Sequence, residues 1–432
     1  MINILRTSFT YSLTRNSLIQ IGWWIVFFPG FYSGDSFTAV EMAKTGELEN
    51  SGTASWSLYV RVFSLFGHFF PLLTLLSGLI LVYGVTRFSY AVFSDRVGAI
   101  SSFVLTLTPV VSGMGITLWH DIPFTSGLLL VAAFFTHLSK SPVNVGCYVS
   151  RLLVPGALLV SFKPNGLPTL IVFSALILLV KLSKLRLKYI LVSILISGIV
   201  TIIGSNVVLG MSPINSYFAQ EWMRGDISCY ANTPRGEGFV ENAIPGIGST
   251  KKWASEQSCS FLNGSALSYD EKVDAEKYVP TAWLQLLEKD PLFILKTHLE
   301  RHAYLFPLPI FGIPTEPFLH STIEFKDKGI EWAFPSIAEN ARASMRLWNS
   351  IRGLTGWAGL WIVVLLGLAF LSKRKELIPA LLMSFSIVGI LFVVAPIPDG
   401  RYALFVLIAG QLALIGNLVE WAQTGSNRRP TD

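Results

Sequence analysis

Four short stretches carry the side chains able to do chemistry: Gly34-Asp35-Ser36, Trp119-His120-Asp121-Ile122-Pro123, Lys163-Pro164-Asn165-Gly166 and Asp399-Gly400-Arg401-Tyr402. Each follows an apolar run. Asp35 stands just beyond the run 19–32, and a carboxylate so close to hydrocarbon is costly unless it is solvated or paired. Asp35 and Asp121 can accept a proton, whereas Lys163 and Arg401 can face developing negative charge. His120, Asn165 and Tyr402 add polar groups able to orient a bound molecule. Each stretch also has a plainer reading. Asp35 or Ser36 can open the polar helix 38–45 as an N-cap. Trp119 can be an interfacial anchor, with Asp121 capping a helix whose first turn holds Pro123. Lys163 and Arg401 can snorkel, and His298 and His302 fit the solvated face of an interfacial helix. One coincidence is easy to accept; four loops converging are harder to dismiss.

The elements that must bring those loops together follow from composition. Of 432 residues, 52% are hydrophobic and only 14% charged, against ~25% charged in soluble domains. Repeated apolar runs long enough to cross a bilayer make this an all-α polytopic membrane protein with about ten transmembrane helices. Residues 1–211 form an N-terminal membrane module whose outer loops carry the candidate residues. Residues 212–352 are polar and form an α-rich outer, periplasmic domain, and 353–432 return to transmembrane helices. Within the polar part, 291–312 is amphipathic and is expected to lie along the interface; 56–63 is read as a short interfacial helix. No small-residue cleavage site follows the first apolar run, so that run is expected to stay as helix one.

Loop charge sets the orientation. One alternating set of loops holds Arg6, Arg15, Arg87, Arg96, Lys140, Lys181, Lys184, Arg186, Lys188, Lys373, Arg374, Lys375, Arg428 and Arg429. This basic set belongs in the cytoplasm, with both termini. The other set holds Asp35, Asp121, Lys163, the polar domain and Arg401, so all four stretches share the outer face. The net charge of +6 lies in loops between apolar runs and is no nucleic-acid footprint. Cys147 sits in a span as a packing residue. Cys229 and Cys259 share the outer domain, where an oxidising compartment permits a disulfide; two isolated cysteines do not make a zinc site.

At the four stretches the chain resembles the membrane glycosyltransferases of the C superfamily, which use polyprenyl-phosphate sugars. Those enzymes place an essential acid in the first outer loop, commonly a second acid in the next, and a large outer domain later. The likeness covers about 1–211 and 357–421. It implies a bacterial inner-membrane enzyme that moves a sugar from a polyprenyl-phosphate donor to a cell-surface glycan or lipid-linked saccharide acceptor, with inversion. Its size suggests the smaller transferases that modify O-antigen chains of lipopolysaccharide. Asp35 is then the base, and Asp121 orients the acceptor, assists Asp35 or shares a metal with it. Arg401 and Lys163 bind the donor phosphate, and His120, Asn165 and Tyr402 contact substrate. No cofactor is certain. Many family members carry two acids in the first loop, able to hold a divalent metal; here Asp35 stands alone between Gly34 and Ser36. The rival reading is a transporter or flippase for a lipid-linked saccharide. Transporters usually keep charges at mid-membrane, whereas these gather at one face.

Overall fold

The first helix, α1 (Phe9–Val26), is capped by Ser8, whose hydroxyl accepts from the Tyr11 amide. It starts earlier and ends sooner than its apolar run implied, because its polar residues find partners inside the protein. Ser12, Asn16 and Gln20 recur every fourth position, so they share one face, and all three are fully buried. Ser12 pairs with Tyr90 Oη at 2.8 Å. Asn16 Nδ2 donates to Thr86 Oγ1 at 3.2 Å and to Ser102 Oγ at 3.1 Å. Gln20 Nε2 donates to the Ser112 carbonyl at 3.2 Å.

A computed structural model describes residues 8–45, 53–140, 145–180, 187–207, 221–245, 277–306, 331–371, 374–395 and 400–426. After α1 come α2 (Gly34–Thr45), α3 (Ala54–Phe63), α4 (Pro71–Val92), α5 (Asp95–Thr106) and α6 (Asp121–Lys140). A π turn at Val149–Leu153 leads into α7 (Val154–Val160), then α8 (Gly166–Leu179) and α9 (Leu187–Val207). The polar segment then supplies α10 (Glu221–Ala231), α11 (Val279–Lys289), α12 (Pro291–Arg301) and α13 (Pro335–Ser350). Three helices close the chain: α14 (Ala358–Leu371), α15 (Ile378–Val394) and α16 (Leu404–Ser426).

Among the described residues the architecture is all-α, with one isolated bridge between Phe31 and Thr117. Four helices among the described residues are long and apolar enough to cross a membrane: Pro71–Val92, Asp121–Lys140, Lys375–Val394 and Arg401–Thr424. Gly146–Val160, Gly166–Leu179, Tyr189–Val200 and Ala358–Leu371 are apolar but shorter. Residues 97–117 form no single span, since α5 stops at Thr106 and the remainder folds into turns and the short helix Ser112–Gly115. Helix α6 is the hub, packed by α4, α7, α15 and α16. Its Gly127 meets α7 so closely that an added Cβ would lie 2.7 Å from the Gly156 carbonyl oxygen; small residues let helices approach this far in lipid.

The polar segment has its own apolar cluster of Ile227, Tyr230, Val240, Val279, Ala282, Leu286 and Ile294. Two expectations change here. His298 and His302 are buried, not solvated, because α12 turns its polar face inward and leaves Leu292 and Leu295 exposed. Cys147 is exposed and free, so it packs no core. Helix α3 is more than an interfacial anchor: Trp56, Tyr59 and Val60 are buried with Leu73 and Leu118.

Candidate active site

The loop after α1 is held in shape by backbone geometry. Gly30 has φ +110, and a Cβ there would lie 2.7 Å from Thr74 Oγ1, so only glycine fits. The chain then runs extended at Phe31, whose amide donates to Ile116 O at 3.0 Å while its carbonyl accepts from the Leu118 amide at 3.0 Å. Ser36 Oγ donates to Leu118 O at 2.8 Å and accepts from the Ser33 amide at 2.9 Å. Trp119 Nε1 donates to Ser33 Oγ at 2.6 Å. These bonds strap the start of α2, where Asp35 lies in the first turn, to the segment that delivers His120 and Asp121. Asp35 is described by its backbone position only.

Asp121 opens α6 and is almost fully buried. Its Oδ1 pairs with Lys163 Nζ, and both side chains are hidden from solvent. His120 Nε2 lies 3.7 Å from Oδ2, which has no hydrogen-bond partner among the described residues. The carboxylate therefore serves the lysine, not the helix end. Arg401 also acts electrostatically on Asp121. Its guanidinium lies over Trp119 at 4.8 Å and Tyr402 at 5.2 Å from the ring centroids. Lys163 Nζ sits 4.0 Å from the Tyr402 centroid and 5.4 Å from that of Phe124. Both cations are buried within the protein, so neither snorkels.

The structure thus gathers His120, Asp121, Lys163, Arg401 and Tyr402 from three separate chain segments. Asn165 precedes α8, and its Oδ1 is buried with no hydrogen-bond partner among the described residues; its backbone carbonyl accepts from the Thr169 amide at 3.0 Å. Asp399 and Cys259 lie outside the described residues. Cys229 is disulfide-bonded. Among the described residues, no group of three or more His, Cys, Asp or Glu is placed to hold a metal ion.

Sequence reasoning missed the supports. Ser33 and Ser36, three apart around Gly34-Asp35, tie the two loops, and their only signal was that spacing. Trp56, read as part of an interfacial helix, brings its ring to 6.0 Å from His120 and 6.1 Å from Phe162. Ser55 Oγ donates to Ser161 O at 2.8 Å, fastening α3 to the loop that carries Lys163. Chemically, two cations beside a carboxylate and two aromatic faces can hold an anion and stack against a flat or ring-shaped group.

No protein-family model and no curated protein matches this chain. Two solved structures do. One is ArnT from Cupriavidus metallidurans bound to undecaprenyl phosphate: 14% identity, TM-score 0.35, covering 96% of this chain and 80% of that one. The other is ArnT from Cupriavidus metallidurans in the apo state: 13% identity, TM-score 0.37, covering 96% and 79%.

Proposed function

We propose that this protein is an inverting membrane glycosyltransferase, moving a sugar from a polyprenyl-phosphate donor to a cell-surface glycan or lipid-linked acceptor on the outer face of a bacterial inner membrane. The observation that carries the reading is the meeting of Lys163, Arg401 and Asp121 at the end of α6, strapped to the helix start that bears Asp35. A polyprenyl-phosphate sugar already has a good leaving group, so the protein must supply a base and a place for negative charge. Asp35 takes the proton from an acceptor hydroxyl. That oxygen attacks the anomeric carbon as the bond to the phosphate oxygen breaks, and the electron pair leaves with polyprenyl phosphate. Arg401 and Lys163 receive the departing phosphate, arginine by its forked donors. Asp121 holds Lys163 in place, and His120, Asn165 and Tyr402 contact the sugars. One displacement inverts the anomeric centre. Modification of O-antigen is the narrower form of the same proposal.

The test compares surface glycans by mass spectrometry with the intact gene, without it, and with Asp35→Asn expressed at wild-type level. A defined added hexose that disappears in the last two supports the reading, since a positioned base contributes about 10²- to 10⁴-fold. Asparagine caps a helix about as well as aspartate, so near-normal modification would reduce Asp35 to a cap. Loss of an entire polymer on deletion would point to transport.

A further inference from the structure

A second buried polar cluster lies where the outer segment meets the membrane helices. Asp226 on α10 is fully buried, as is His302 beyond α12, and His298 and Arg301 on α12 are nearly so. Asp226 Oδ1 accepts from Arg301 Nη2 at 2.8 Å. Its Oδ2 accepts from Trp283 Nε1 at 2.9 Å and faces His298 Nε2 at 2.8 Å. The other nitrogen of His298, Nδ1, donates to the Phe392 carbonyl at 2.7 Å; a carbonyl can only accept. His298 therefore bridges α10 to the last turn of α15, where helix carbonyls lack intrahelical donors. The Phe392 ring packs on His298, His302 and Phe306 at 5.6, 6.2 and 5.6 Å. Beyond α15 the chain passes to Arg401, the guanidinium placed over Trp119 and Tyr402.

We infer that His298 is a positioning residue for Arg401: it fixes the outer end of α15, from which the Arg401 segment departs, and so sets the donor-phosphate site from the outer domain. This rests on the transferase reading above. A histidine that only stabilises the outer domain would affect folding, not donor use. One that acts through Arg401 must lose its influence once the forked donors of Arg401 are gone.

The test is a double-mutant cycle in purified protein, reading KM and kcat for a polyprenyl-phosphate sugar. His298→Leu leaves Arg301 and Trp283 on Asp226 and removes the imidazole's contacts to Asp226 and to α15. It is expected to raise donor KM about tenfold, the upper end of what one buried hydrogen bond carries, with kcat little changed. In the Arg401→Lys background the same substitution should add almost nothing, whereas independent sites multiply. Trp283→Phe, which disturbs the cluster without touching α15, should leave donor KM at the wild-type value. His298→Gln carries the same cycle if the leucine variant does not accumulate. Multiplicative effects of His298 and Arg401, or an equal effect of Trp283→Phe, would overturn the inference while leaving the transferase reading intact. Wild-type protein that transfers no sugar from the donor would overturn both.

Discussion

Replacing Lys163 by methionine keeps most of the side-chain volume and removes one charge. Asp121, 1% exposed, would then remain beside His120 at 3.7 Å with Arg401 acting from further away. Breaking a buried ion pair by removing one partner costs about 3–5 kcal/mol. The two remaining basic neighbours place this case at the lower end, near 3 kcal/mol, a roughly hundredfold shift in the folding equilibrium. Substituting both members, as Lys163→Met with Asp121→Leu, removes the stranded charge and should recover most of the loss, because apolar replacement of a buried pair is often close to neutral. Unfolding of the purified protein by titration of SDS into mixed micelles, followed by helical circular dichroism, measures both variants. If Lys163→Met unfolds within about 0.5 kcal/mol of wild type, as an ordinary surface substitution does, the pair is not what holds the third loop to α6. If the double variant is less stable than the single one, the cost lies in packing and not in the stranded carboxylate.

Arg401→Lys keeps the charge and loses the fork, so donor KM should rise while SDS stability stays near wild type; unchanged donor dependence would remove arginine from the phosphate site. Acid should open α10–α12 before the membrane body. Burial, then the charges of Arg301 and His298, pushes His302 down to about 3, so protons favour the unfolded chain and stability falls from about pH 6.5 towards 3. Burial opposes ionisation of Asp226, but the hydrogen bond from His298 and the charge of Arg301 outweigh it and hold this carboxyl below its ordinary 3.8, so its contribution is lost only under more acid conditions. Hydrogen exchange of 221–231 and 279–301, corrected for intrinsic rates, should quicken at pH 4.5 relative to pH 7 while α4 and α6 keep their protection; equal protection refutes the argument. Cys229 and Cys259 should both resist alkylation in denatured, non-reduced protein, and reduction should cost about 3 kcal/mol; two reactive thiols would exclude the bond.

Much of the site was legible because topology does part of the work. Once loop charge assigns one face, Asp121, Lys163 and Arg401 must end near the same surface, and their pairing is a short step. What periodicity could not say is which face of a polar helix turns inward. In α12 the pattern reads as apolar-in, yet Thr297, His298 and Arg301 are buried and Leu292 is exposed. The reason is Asp226, which lies far away in sequence and makes the polar face the adhesive one. The same limit applies to α1. Its apolar run, 19–32, leaves Ser12 and Asn16 outside, and their buried contacts become visible only when Tyr90, Thr86 and Ser102 stand beside them. The ties made by Ser33 and Ser36 were hidden for a different reason, since hydroxyls that bond to a distant indole N–H or carbonyl leave no period in the sequence.

The polar face of α1 has a consequence for how the chain is made. Ser12, Asn16 and the Gln20 amide nitrogen bond to side chains and a carbonyl that leave the ribosome later, on α4, on α5 and at Ser112. Until then the helix carries uncompensated amides into a lipid environment, where each unsatisfied polar group costs several kcal/mol. Helix one should therefore linger at the insertion machinery and enter the bilayer together with α4 and α5. An element synthesised before its partners is then among the last to settle, and the Asp35 loop takes its shape only when the Ile116–Leu118 segment arrives to hold it.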